Sequence, residues 1–309
     1  MFTELKRMSK VLKCMAAGYK RGIFKLPEFS ETEKVIKLNG KEKNLPSIPR
    51  IIWVYWEEDE FPEIIEGFIS KLRRFDEDYV INVLSKNTLH KFLPSFTCHP
   101  EVPIANKTDL IRLELLHKYG GVWLDITILL QENLSWLHHP DLENRYDLIG
   151  FYRDVNTVDE KYPVIETWFL ASSPGNRFIK NWLDILTPMR ELGSKAFFEI
   201  LKKRDDYKKI SRKIEPPDYL LVYLACQIAL QSNNDYSFYL RKAENSAFYL
   251  QNYYGWNPNV IAYALTQLDS RKSNFKLIKL TAGDRSLLDV LKDFNLIKSR
   301  SLIGQLISH

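Results

Sequence analysis

Lys107–Thr127 reads KTDLIRLELLHKYGGVWLDIT, and the fold turns on this stretch. Thr108 to Tyr119 reads as a helix, with Thr108 as its N-cap and Gly120-Gly121 as its stop, because glycine leaves a helix through positive φ without steric cost. The chain then passes directly into Val122–Leu130, VWLDITILL, a near-continuous apolar run. Runs of that kind lie at the centre of parallel sheets, where both faces are covered.

The same alternation of strand and helix extends upstream. Arg50–Trp56 (RIIWVYW) is a β-branched and aromatic strand, Pro62 to Arg74 a helix with proline in its first turn, Tyr79–Leu84 a second strand and Asn87 to Leu93 a short helix. This βαβα order predicts an α/β domain with helices on both faces of its sheet. Downstream, strands are expected at 147–152, 164–171 and 276–280, and helices at 176–186, 218–231 and 286–294. No break in composition marks a second domain. Residues 46–309 are therefore read as one domain, with a ligand-binding half at 46–150 and a second half at 151–309. Residues 1–45 are read as a basic amphipathic helix followed by a polar linker, with Asn39-Gly40 as a turn.

Within the central stretch, Asp109 and Arg112 stand three residues apart and share a helix face close to the predicted N-terminus, where backbone N–H groups favour anions. Asp125 and Thr127 are two apart on the predicted strand and point the same way. Asp125 is a carboxylate inside an otherwise apolar strand, and an unpaired buried charge is costly, so it needs a metal ion, Arg112 or a ligand as partner. Ligands of open α/β sheets bind beyond the carboxyl ends of the strands, where this pair falls.

Thr108-Asp109, Arg112, Gly120-Gly121, Trp123, Asp125 and Thr127 together resemble the donor-binding segment of DXD-motif sugar transferases of the capsular polysaccharide synthesis type. The resemblance includes the opening strand IPRIIWVYW (48–56) and the strand and turn ETWFLASSPGN (166–176); it is close over residues 46–190 and loose beyond. It implies a GT-A glycosyltransferase fold, a single Rossmann-like domain with a mostly parallel central sheet. It also implies a retaining transfer from a nucleotide sugar, a UDP-sugar, onto a capsular or surface polysaccharide precursor that is lipid-linked.

On this resemblance Trp56 stacks on the nucleotide base. Asp109 and Arg112 bind donor hydroxyls and ribose or phosphate, and Asp125 contacts ribose and the metal shell. Thr127 stands where a second aspartate would ligate Mn²⁺ or Mg²⁺, which weakens the expected metal site, since a hydroxyl is a poorer ligand for a hard cation than a carboxylate. Asn252, Asn257 and Asp284 are candidates for a further ligand, Asn87 for a ribose contact, Lys107 for a phosphate contact, and Glu166 or Asp218 for acceptor activation. The aromatic tract Phe248–Trp256 reads equally as an acceptor platform or as core. A protein acceptor, or a nonenzymatic sugar-binding relative, are the alternatives.

Composition narrows the rest. The 309 residues carry 44 Lys and Arg against 39 Asp and Glu, a net +5, and 45% are apolar, the balance of an ordinary globular protein. The excess is concentrated: residues 1–50 hold 12 basic and 5 acidic side chains, while the remainder is close to −2. Residues 2–21 place Leu5, Met8, Val11, Leu12, Met15 and Tyr19 at helical spacing among Lys6, Arg7, Lys10, Lys13, Lys20 and Arg21. That pattern suits an anionic membrane surface, and the lysines interrupt any signal-peptide core. Three scattered cysteines give no disulfide or zinc spacing, and Walker A and G-x-G-x-x-G loops are absent. The expected setting is cytoplasmic, peripheral on the inner membrane face, with no nucleic-acid partner.

Overall fold

The computed structural model describes residues 2–29, 35–38, 45–75, 77–233, 235–271 and 273–307. The expected turn at Asn39-Gly40 lies outside them. The chain runs through α1 (Phe2–Lys20), β1 (Val35–Leu38), β2 (Ile51–Tyr55), α2 (Glu63–Phe75), β3 (Val80–Leu84), α3 (Ile104–Tyr119), β4 (Gly121–Leu124), β5 (Ile128–Leu130), β6 (Leu148–Tyr152), β7 (Ile165–Ser172) and α4 (Arg177–Leu186). There follow α5 (Pro188–Leu192), α6 (Ser194–Lys202), α7 (Tyr207–Ile210), α8 (Leu221–Ser232), β8 (Phe238–Lys242), α9 (Tyr249–Tyr253), α10 (Pro258–Gln267), β9 (Leu277–Lys279), α11 (Ala282–Arg285), α12 (Leu288–Asp293) and α13 (Gly304–Ile307).

Seven strands form one sheet in the order β1-β8-β6-β7-β4-β2-β3. Among the described residues β2, β3, β4, β6 and β8 run one way and β7 and β1 oppose them, so the sheet is mostly parallel in direction, as the strand–helix alternation predicts. Successive residues of a strand point to opposite faces, and both faces of this sheet are covered. Ile52, Val54, Val122 and Leu124 join a core with α2 and α10, while Trp53, Tyr55 and Trp123 join one with α3, α4 and α8.

The double glycine does more than end a helix. Gly120 and Gly121 both have positive φ, 64° and 94°, and a Cβ on Gly121 would sit 2.5 Å from the Ile51 carbonyl oxygen. Backbone therefore packs on backbone where α3 hands over to β4, which sets the depth of β4 beside β2.

Three expectations need correction. The run 122–130 is not one strand. After β4 the chain turns, with the Ile128 N–H bonded to the Asp125 carbonyl at 3.0 Å, and β5 leaves the main sheet to pair antiparallel with β9. Thr108 is not an N-cap. Pro103, extended at φ −56° and ψ 149°, starts α3 four residues earlier, and the Thr108 hydroxyl bonds back to the Ile104 carbonyl at 2.7 Å inside the helix. The polar segment after α1 is not all linker, because Val35–Leu38 forms the edge strand of the sheet.

α1 docks on α10. Val11 and Cys14 are buried there, and Gly18 lies under the Tyr263 ring. Leu5, Met8, Leu12 and Tyr19 remain exposed, so the apolar stripe divides between a docked side and a free one.

Candidate active site

A cleft of about 510 Å³ opens at the carboxyl ends of β2 and β4. Trp56 forms part of its wall just beyond β2, and Asp109, Arg112, Asp125 and Thr127 also line it. α3 supplies Asp109 and Arg112 from its second and third turns. Because the helix begins at Ile104, the free N–H groups belong to residues before Asp109, and the two side chains act through their own charges.

Those charges form a chain. Arg112 gives Nη1 to Asp109 Oδ1 at 2.8 Å and Nη2 to Asp125 Oδ1 at 3.1 Å. Its guanidinium lies 5.1 Å from the Trp123 ring, whose Nε1 also donates to Asp125 Oδ1 at 3.1 Å. Lys279, which the sequence reading missed, completes the chain: Nζ donates to Asp125 Oδ2 at 2.8 Å and to Thr127 Oγ1 at 3.2 Å. Thr127 in turn donates to the Leu280 carbonyl at 3.2 Å. The β5–β9 ladder places Lys279 opposite Ile128 and so beside the turn that carries Asp125.

Electrostatics follow from this arrangement. Burial opposes charge on Asp125, but the Lys279 and Arg112 cations, aided by the Lys279 and Trp123 hydrogen bonds, hold its carboxyl well below the usual range. Asp109 is more deeply buried, and burial pushes its carboxyl up to about 6; Arg112 opposes that rise and the Asp125 charge adds to it.

Four N–H donors that line the cleft, Nε1 of Trp56 and Trp168 and Nε of Arg112 and Arg285, are buried without a hydrogen-bond partner among the described residues. Because these four N–H groups are shielded even with the cleft empty, the groups that meet a ligand are the ring faces and the charged ends of the lining side chains.

The remaining candidates fall outside this cluster. Lys107 points away, pairing with Glu57 at 2.9 Å beside a second cavity of about 390 Å³. Asn87 is exposed and donates to Asp59 away from the cleft. Glu166 is buried, accepts the Tyr223 hydroxyl at 2.7 Å, and has its carboxyl pushed up by burial; Tyr223, not Glu166, meets the cleft. Asp218 is exposed on the loop before α8. Asn257 caps α10, and Asp284 is spent in a capping box with Thr281 and on Gln251 Nε2 at 2.9 Å. Neither these two nor Asn252 lines the cleft. In the aromatic tract, Phe248 and Tyr254 are core, whereas Tyr253 and Trp256 are exposed, with the Arg153 guanidinium against the rings of both Phe248 and Trp256.

A divalent cation of the Mn²⁺ or Mg²⁺ kind needs several oxygen ligands in near-octahedral array. Asp125 and Thr127 offer one carboxylate with both oxygens engaged and one hydroxyl already donating to a carbonyl, and both face the same ammonium. Among the described residues no group of three His, Cys, Asp or Glu side chains could hold an ion. The residues present do not fit a resident metal.

Fold and cleft together define an α/β protein with a charged, aromatic-walled cleft at the carboxyl ends of parallel strands. Residues 26–190, more than half of the chain, match the family described as capsular polysaccharide synthesis protein, and the chain belongs to that family. It is 30% identical over 157 residues to the O-glycosyltransferase braB of Annulohypoxylon truncatum, covering 43% of this chain and 36% of that one. It is 25% identical over 126 residues to inositol phosphoceramide mannosyltransferase 3 of Schizosaccharomyces pombe, covering 38% and 35%. The match thus spans about a third of the length of each of these curated relatives. Among solved structures, the PaToxG glycosyltransferase aligns with a TM-score of 0.35 at 14% identity, over 75% of this chain and 89% of that one.

Proposed function

We propose that this protein is a glycosyltransferase that takes its sugar from a nucleoside-diphosphate sugar, a UDP-sugar, and transfers it to an oligosaccharide precursor of a capsular or surface polysaccharide. The lining of the cleft carries the reading: Trp56, Asp109, Arg112, Lys279 and Arg285 set an aromatic wall, a carboxylate and three cations around one space at the carboxyl ends of the strands, which suits the base, hydroxyls and diphosphate of a nucleotide sugar. Trp56 forms the wall for the base, its ring face being apolar. Asp109 accepts from donor hydroxyls. Arg112, held between two carboxylates and the Trp123 ring, keeps one fixed orientation and needs no reorganisation as charge develops.

In the transfer, the bond from the anomeric carbon to the diphosphate oxygen breaks with its electron pair on that oxygen. The acceptor oxygen forms the new bond to the same carbon with retained configuration, and the acceptor proton leaves to water. The sugar passes through an oxocarbenium-like state, so the rate depends on how well the site holds the departing diphosphate.

The acceptor is lipid-linked in this reading, and the exposed side of α1 supports it. Leu5, Met8, Leu12 and Tyr19 stand free of the core on a helix rich in lysine, a surface suited to anionic lipid at the cytoplasmic face. Among the described residues no helix is long and apolar enough to cross a membrane.

A screen of UDP-sugars for hydrolysis, followed by transfer to a lipid-linked oligosaccharide, tests the reading. Turnover of at least one donor is expected, with loss of about 100-fold or more in Asp125→Ala and Arg112→Ala. Full transfer activity in both variants would reject the site assignment.

A further inference from the structure

We infer that Lys279 and Arg285 form a metal-free cradle for the donor diphosphate, with the Lys279 ammonium fixed at the point where the DXD pattern would place a divalent cation. The inference rests on reading the cleft as a nucleoside-diphosphate-sugar site.

The geometry points this way through three observations. First, Asp125 and Thr127, the two positions of the substituted motif, converge on one atom, Lys279 Nζ, at 2.8 and 3.2 Å. A threonine in the second position removes one carboxylate from the motif, and a lysine restores charge balance: an ammonium beside one carboxylate and one hydroxyl is paired, whereas the same lysine beside two carboxylates and a cation would be repelled by the cation.

Second, Lys279 is not a flexible surface lysine. Its side chain is 12% exposed, and the antiparallel pairing of β9 with β5, together with the Leu280 N–H bond to the Thr127 carbonyl at 3.2 Å, fixes its backbone beside Asp125.

Third, one cation of the cleft stands outside the ion pairs of the cluster. Asp109, Arg112, Asp125 and Lys279 cancel in pairs. Arg285 lines the same cleft and makes no ion pair or hydrogen bond among the described residues, with Nε buried and unmet. Burial draws its pKa down, and the charges of Asp125, Asp289 and Asp284 work against that. The Thr281–Asp284 capping box anchors the short helix that carries it. A desolvated, unpaired guanidinium at the wall of a cleft suits a bidentate phosphate ligand.

In the reaction the breaking sugar–oxygen bond leaves its electron pair on the diphosphate oxygen, and the cradle faces the negative charge that develops there. Lys279 and Arg285 neutralise it by hydrogen bonds and give up no proton, so no further reactant is needed.

Calorimetry on the full chain decides the matter, with UDP and GDP as probes, each in EDTA and in excess Mn²⁺. The expected result is binding of one nucleotide in EDTA with a Kd within about threefold of that in Mn²⁺. Lys279→Met should weaken binding in EDTA by about 10- to 100-fold, the range of a lost charge-assisted hydrogen bond. Arg285→Met, which breaks no ion pair, should weaken it at least about fivefold and serves as the readout should Lys279→Met not fold. Lys279→Arg should recover most of the loss. Binding that needs Mn²⁺, or an unchanged Kd in both methionine variants, would overturn the cradle while leaving the nucleotide-sugar reading standing. Absence of binding by either nucleotide in either condition would reject that reading, and the cradle with it.

Discussion

Replacing Asp125 with Asn removes the one carboxylate that two cations share. Lys279 Nζ lies 2.8 Å from Oδ2 and Arg112 Nη2 3.1 Å from Oδ1. At an effective dielectric near 20 the gross attraction across 2.8 Å is about 6 kcal/mol, most of which offsets the desolvation of the two groups. Breaking a fully buried pair from one side costs about 3–5 kcal/mol, because the other charge stays behind unpaired. The Asp125 side chain keeps 27% exposure and the Asn amide still accepts one hydrogen bond, so we expect ~2–3 kcal/mol. For a chain of this size that lowers the melting temperature by ~3–5 °C. Lys279→Met alone leaves Asp125 with Arg112 and the Trp123 N–H and should cost ~1–2 kcal/mol. The double variant Asp125→Asn/Lys279→Met removes both charges and should be more stable than the sum of the single losses by ~1–2 kcal/mol. Urea unfolding of the four proteins at pH 7 measures the cycle. An Asp125→Asn protein as stable as the parent, or a double variant at the plain sum, would refute a direct Asp125–Lys279 pair.

Trp56→Ala should raise the Kd for UDP by about 5- to 30-fold, the value of one lost stacking face, while leaving uridine-free phosphate binding unchanged; a change under twofold would remove Trp56 from the base site. Asp109, with a carboxyl raised by burial to about 6 against an unfolded value near 4, takes up a proton on folding between those limits. Its contribution therefore makes stability fall as pH rises from about 4 to about 6, by ~2–3 kcal/mol, and adds no slope above that window. Asp109→Asn should remove this slope, read as the difference between the two proteins in urea midpoint across the window; identical profiles would show that burial does not shift this carboxyl. Leu5→Glu/Leu12→Glu alters two exposed residues on the free side of α1 and should cut sedimentation with anionic vesicles several-fold, with melting unchanged. Undiminished vesicle binding would exclude that side of the helix as the contact.

Point variants are the proper test of α1 because the helix is not an appendage. Cys14 Sγ meets the Asn259 carbonyl at 3.3 Å and Val11 packs with Leu287 and Leu291, so removing the first 45 residues would strip α10 and take the edge strand β1 from the sheet. The amphipathic stripe was legible in the sequence, but its division into a docked and a free side was not. Helical spacing says which residues share a face; it cannot say that part of that face has a partner more than 240 residues away.

The sequence by itself determined the sheet-and-helix alternation of residues 50–124, the double-glycine turn, and the shared helix face of Asp109 and Arg112, with Arg112 as one of three candidate partners for Asp125. All of these depend on local periodicity, on the φ range open to glycine and on contacts across one turn of helix or one short connection. Tertiary structure alone decided what Asp125 and Thr127 face. Lys279 lies 154 residues beyond Asp125 in a short strand, and a lysine at a strand end carries no local sign of its partner. The break after β4 frees β5 to pair with β9, and that pairing sets an ammonium between the two residues that the family resemblance had assigned to a metal. Local propensity cannot reveal such a contact, because its cost and its gain are settled by long-range strand pairing and by the need of a buried carboxylate for a counter-charge.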